Sequence, residues 1–137
     1  MISVGEEAKD RAFYSLKGYT RINKGNPANA TGILTSVEIW AVSAVQGCRV
    51  GTFYTINADR LKCRDSVVIG NVTAGSKQVF NGLSISVETG DYIGFYWTSG
   101  TMERDFEGYG GTWHFAGERI DPGDEAPYVF WAGHAFS

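Results

Sequence analysis

Leu83-Ser84-Ile85-Ser86-Val87-Glu88-Thr89-Gly90-Asp91-Tyr92-Ile93-Gly94-Phe95-Tyr96-Trp97 decides the fold class. Leu83, Ile85 and Val87 alternate with Ser84, Ser86 and Glu88, and a period of two puts the apolar side chains on one face of a strand. Thr89-Gly90-Asp91 has turn chemistry, and 92–97 is apolar on both faces, as a strand covered from two sides must be. The expectation is an antiparallel hairpin, 83–87 against 92–97.

Short runs of the same kind extend outward from this segment. Residues 48–55 and 61–69 predict a second hairpin, centred near 56–58. Further runs are expected at 12–22, 32–42 and 78–80 before it, and at 102–106, 113–115 and 128–136 after it. In 32–42, Val37, Ile39 and Ala41 share one face, Glu38 and Trp40 the other. Gly, Asn, Asp or Pro interrupts the chain every eight to twelve residues or so, the spacing of a sandwich or barrel. Asp121-Pro122-Gly123-Asp124 is the densest of these turns. The predicted fold is all-β: a single jelly-roll-like β-sandwich of about eight to ten antiparallel strands over 12–137. Residues 1–11, in which Glu6, Glu7, Lys9 and Asp10 cluster, are expected to form a polar N-terminal arm.

Composition agrees with this. Eighteen glycines and 14% aromatic residues in 137 describe turns and bulky strand residues, in a length suited to one domain. The net charge of −3 argues against nucleic acid, which needs a basic stripe to displace counterions. No apolar run approaches the ~20 residues of a membrane span, and the first residues do not resemble a signal peptide. The charge is uneven. Residues 1–66 carry nine Lys/Arg against six Asp/Glu, and residues 103–137 carry two against seven. Complementary faces of this kind favour head-to-tail contact between copies.

Gly70-Asn71-Val72-Thr73-Ala74-Gly75-Ser76-Lys77-Gln78, Glu88-Thr89-Gly90-Asp91-Tyr92-Ile93-Gly94 and Thr35-Ser36-Val37-Glu38-Ile39-Trp40-Ala41 together resemble β-sandwich proteins predicted from environmental phage and bacterial sequences. The resemblance covers about residues 31–116. It implies the fold and an exterior structural setting, with no activity attached. The Gly-Asp step into an apolar strand is also similar to a hairpin of jelly-roll trimers of the complement and tumour-necrosis-factor group.

Chemistry-bearing residues are few. Cys48 and Cys63 are the only cysteines and form no C-x-x-C pair, which excludes a cysteine zinc site. Set across the hairpin, they are candidates for a disulfide, which requires an oxidising compartment. Asn29 and Asn71 head N-x-S/T sequons and are candidate glycosylation sites. His114 and His134 lie in no nucleophile or metal motif, so no catalytic residue is assigned and no enzyme is expected. Glu103, Asp105 and Glu107 recur at period two on one strand face, with Arg104 on the other. That row is a candidate Ca²⁺ site or half of a glycosidase pair, Asp121 and Asp124 belong to a second candidate Ca²⁺ group in a turn, and no other cofactor is expected. Trp40, beside Glu38, and Tyr109, in Gly108-Tyr109-Gly110-Gly111, are the candidate contacts for a glycan or partner.

The functional expectation is a non-enzymatic structural protein: a self-assembling subunit of an extracellular filament or virion exterior, its N-terminal arm contacting a neighbour. The alternative is a glycan-binding domain. Its expected partners are copies of itself or glycans, without nucleic acid or a membrane span, and its expected place is outside cells or on a virion surface.

Overall fold

A computed structural model describes residues 2–137, which form twelve strands and no helix. The core of the fold is the long hairpin of β5 (Val45–Asn57) and β6 (Arg60–Val72), closed at Ala58-Asp59. β9 (Tyr92–Tyr96) pairs with β5, β2 (Tyr19–Asn23) with β9, and β10 (Met102–Ala116) with β2. β1 (Phe13–Ser15) and β12 (Val129–Phe136) also pair with β10, and β11 (Glu125–Pro127) pairs with β6. All these pairings are antiparallel, giving one eight-stranded sheet.

Two small ribbons complete the layers: β3 (Gly32–Leu34) with β8 (Ile85–Val87), and β4 (Val37–Trp40) with β7 (Lys77–Phe80). The protein is an all-β sandwich with unequal layers. Its strands number more than expected because the run 12–22 breaks around Gly18, the run 32–42 breaks at Thr35-Ser36, and β11 forms ahead of the run 128–136. Conversely, 102–106 and 113–115 merge into β10, whose register shifts twice against β12.

The expected hairpin 83–87 with 92–97 does not form. Both segments are strands, but β8 pairs with β3 while β9 enters the large sheet. Asp91 is buried, and its carboxylate accepts bonds from Arg64 Nε at 2.6 Å and from the Glu88 N–H at 3.0 Å. The Gly90 N–H donates to the Ala28 carbonyl and the Ala28 N–H to the Asp91 carbonyl. The turn is thereby tied to two distant segments and carries the chain from one layer to the other.

Each face of the large sheet has its own core. Val45, Cys48, Val50, Phe95, Trp97, Met102 and Phe136 pack against Leu34, Ile39, Ile85 and Val87 of the ribbons. On the opposite face Ile22, Phe53, Leu61, Cys63 and Trp113 are covered by Ile120, Ala126 and Tyr128. Gly94 sits between them at the centre of the sheet, where a Cβ would lie 2.7 Å from Phe53 and 2.9 Å from the Arg21 carbonyl oxygen.

Three expectations change here. The hairpin register pairs Cys48 with Gly70 and Cys63 with Phe53, so the cysteines belong to different cores and both are free and buried. Residues 2–11 are not a projecting arm. Ala8 and Arg11 are buried, Ile2 and Val4 pack on the first core, and the Gly5 N–H donates to the Asn26 carbonyl. Met1 lies outside the described residues. The uneven charge is largely met within the molecule, where Arg11 pairs with Asp105, Arg49 with Glu118 and Asp121, and Arg60 with Glu125.

Candidate ligand-binding groove

Arg21 lies across from Phe95 in the sheet, and Arg104 across from Phe136. Cross-strand partners share a face, so both arginines extend the face that holds the first core. The ribbons cover that face over Val50 and Phe95 but leave it open toward β1 and β12. Phe13, Tyr19, Phe106 and Trp131 are therefore exposed there, at 48%, 37%, 41% and 38%.

These rings touch in sequence across the sheet. Phe13 stacks on Phe106 at 4.2 Å between centroids, and Phe106 lies 5.1 Å from His134. His134 lies 5.2 Å from Trp131, Trp131 3.9 Å from His114, and His114 5.9 Å from Tyr19. With Tyr14, Leu16, Arg21 and Arg104, all of these rings except His134 line a groove of about 570 Å³. The break between β1 and β2 makes room for it, since the chain leaves β10 after Ser15 and rejoins it at Tyr19.

Below the rings lie the cations. The Arg21 guanidinium is 4.8 Å from the Tyr19 ring, the Arg104 guanidinium 4.6 Å from Trp131, and Phe136 is within 5.6 Å of both. Burial, then the neighbouring Arg104, pulls Arg21 down to about 10. Burial, then the charges of Arg21 and Arg104, pushes His114 down to about 4. Burial and Arg104 also lower His134, whose Nδ1 is 2.9 Å from Arg104 Nη2. Arginine can only donate, so His134 Nδ1 is the acceptor and the imidazole is neutral.

The residues singled out from sequence lie elsewhere. Glu103 and Asp105 hold residues 7–12: the Arg11 N–H donates to Glu103 Oε2 at 2.9 Å, and Arg11 Nη1 to Asp105 Oδ2 at 2.9 Å. Glu103 is buried and Glu107 exposed. Asp121 pairs with Arg49, and Asp124 Oδ2 accepts the Asp121 N–H. Among the described residues no three His, Cys, Asp or Glu side chains are grouped to hold a metal ion. Tyr109 is half-buried under Lys9 and Arg11, whose cationic groups lie 5.4 and 4.9 Å from its ring. Trp40 is half-buried on β4, its N–H donating to the Ser137 carbonyl. Neither lines the groove. Asn29 and Asn71 are exposed, and Asn29 Oδ1 accepts the Ser3 N–H.

A larger cleft of about 830 Å³ runs beneath residues 2–8, over Leu34, Phe95 and Met102. It is the seam between that segment and the first core. Comparison with known proteins finds no matching family model, no matching curated protein and no matching solved structure.

Proposed function

We propose that the protein is a non-enzymatic binding module whose groove receives a saccharide. The observation that carries this reading is the unbroken series of six rings from Phe13 to Tyr19 on an open sheet face. A pyranose presents an apolar C–H face that stacks on such rings, and neighbouring N–H and O–H groups fix its orientation. A folded monomer has little reason to leave Trp131, Phe13 and Phe106 in water together, because adjacent exposed aromatics mark a contact surface. The test is a glycan-array screen followed by titration of the best ligand. Trp131→Ala should weaken binding by roughly ten-fold or more with an unchanged circular-dichroism spectrum. An array on which no saccharide binds would sink the reading.

A second reading is a self-assembling subunit of an extracellular filament or virion exterior. It is favoured by Phe13 and Tyr14 on β1, a strand at the end of the sheet order, with Leu16 exposed just beyond. An end strand with apolar side chains offers an edge to a second copy. Light scattering separates the two, since assembly through β1 gives polymer that Tyr14→Lys dissolves.

A further inference from the structure

Arg21 and Arg104 differ from the other buried or half-buried arginines. Arg11, Arg49, Arg60 and Arg64 each have a carboxylate partner, whereas Arg21 and Arg104 have none among the described residues. Arg21 is 4% exposed and Arg104 9%. Arg21 Nη2 donates to the Leu16 carbonyl at 3.0 Å. Arg21 Nε and Nη1, Arg104 Nε and His114 Nδ1 are buried without a hydrogen-bond partner among the described residues.

A buried cation lacking a counter-charge is strongly unfavourable. Ring contacts offset only part of this. The two guanidinium groups also repel one another across Phe136. Both side chains line the groove, so an anionic group entering it meets two cations and unused donors with no competing carboxylate among its lining residues.

We propose that the groove's ligand is an acidic saccharide whose carboxylate or sulfate is held by Arg21 and Arg104 while its ring stacks on the aromatic walls. This rests on the saccharide reading above. The oxyanion completes what the fold leaves open: charge-assisted N–H···O bonds are the strong class, and arginine suits planar oxyanions.

Calorimetric titration of the purified protein with matched pairs tests it. An oligogalacturonate is compared with its carboxyl-reduced form, a sulfated galactan with its desulfated form, and adenosine monophosphate serves as a non-saccharide anion. The expected result is roughly ten-fold or tighter binding of one acidic member over its neutral counterpart, lost in Arg104→Gln. Which pair responds identifies carboxylate or sulfate. Should Arg104→Gln fold poorly, added NaCl reads the same charge on the unaltered protein, weakening the acidic member and sparing the neutral one. Equal affinity within both pairs overturns the charge assignment and leaves the saccharide reading standing. Binding of neither pair overturns the acidic-saccharide assignment, a blank glycan array overturns both readings, and tighter binding of the nucleotide reassigns the groove.

Discussion

Arg11 and Asp105, ninety-four residues apart, form an ion pair at 2.9 Å in which the Arg11 side chain is fully buried. The same guanidinium donates to Ser137 Oγ and to the Glu7 carbonyl, joining the N-terminal segment, β10 and Ser137. Removing one partner of such a pair strands the other, so Arg11→Ala should destabilise by about 3 kcal/mol in urea unfolding. Burial pushes the Asp105 carboxyl up, but the bonds from Arg11 and the Ala12 N–H outweigh it and hold it below 3.8. Stability from this group is present above that pH and is lost as pH falls through its lower folded value. In Arg11→Ala that acid-labile part should be missing.

Arg21→Met should raise the melting temperature. It removes a buried cation that has no carboxylate partner among the described residues and keeps an apolar stem of similar length. Replacing buried charge by apolar side chains of like volume is often stabilising, by about 1–4 kcal/mol. A lower melting temperature would show that the cation is already compensated in the free protein.

His114 makes stability depend on mild acid. Its folded pKa, about 4, lies below its ordinary 6.5. As pH falls from 6.5 the unfolded chain takes up a proton that the folded one refuses, so stability declines toward pH 4. His114→Asn should flatten the slope between pH 6.5 and 5, above the range of most carboxylates. An unaltered slope there would assign it to another group.

Alkylation should label neither cysteine in the native protein and both after unfolding without reductant. Cys48 and Cys63 are 0% and 2% exposed, and burial raises each thiol to about 12. A denatured, unreduced protein that resists labelling would reveal a disulfide and require a different hairpin register.

Much of the strand content was legible, because period-two patterns are local. Ile85 and Val87 alternate with polar residues and are buried, as their spacing demands. Their partners were not legible. The turn Thr89-Gly90-Asp91 reads the same whether it closes a hairpin or crosses between layers. The deciding contacts come from Arg64 and Ala28, far away in sequence. The disulfide expectation failed on register, since the turn closes at Ala58-Asp59 with Asn57 opposite Arg60, which sets Cys48 across from Gly70 and Cys63 across from Phe53, and the exact residue at which a hairpin turns cannot be read from composition. Arg21 gave no sequence signal at all, since an arginine in a strand ordinarily reads as solvated. Only the packing of Tyr19, Trp97 and Phe136 around its guanidinium shows it to be buried with no carboxylate partner among the described residues. For Arg104 a signal existed in its alternation with Glu103 and Asp105, but the carboxylates are the residues that draw attention.

That alternation makes 103–106 a reading frame. Glu103 and Asp105 face the N-terminal segment, while Arg104 and Phe106 face the groove. A strand has no intermediate settings: deleting a single residue ahead of Glu103 exchanges the two faces along its length. Carboxylates would then enter the groove and a cation would be turned against Arg11, so an anion receptor would become a cation receptor while its own fastening came undone. Point substitutions can adjust either face separately, but a change of spacing here alters specificity and folding in one stroke.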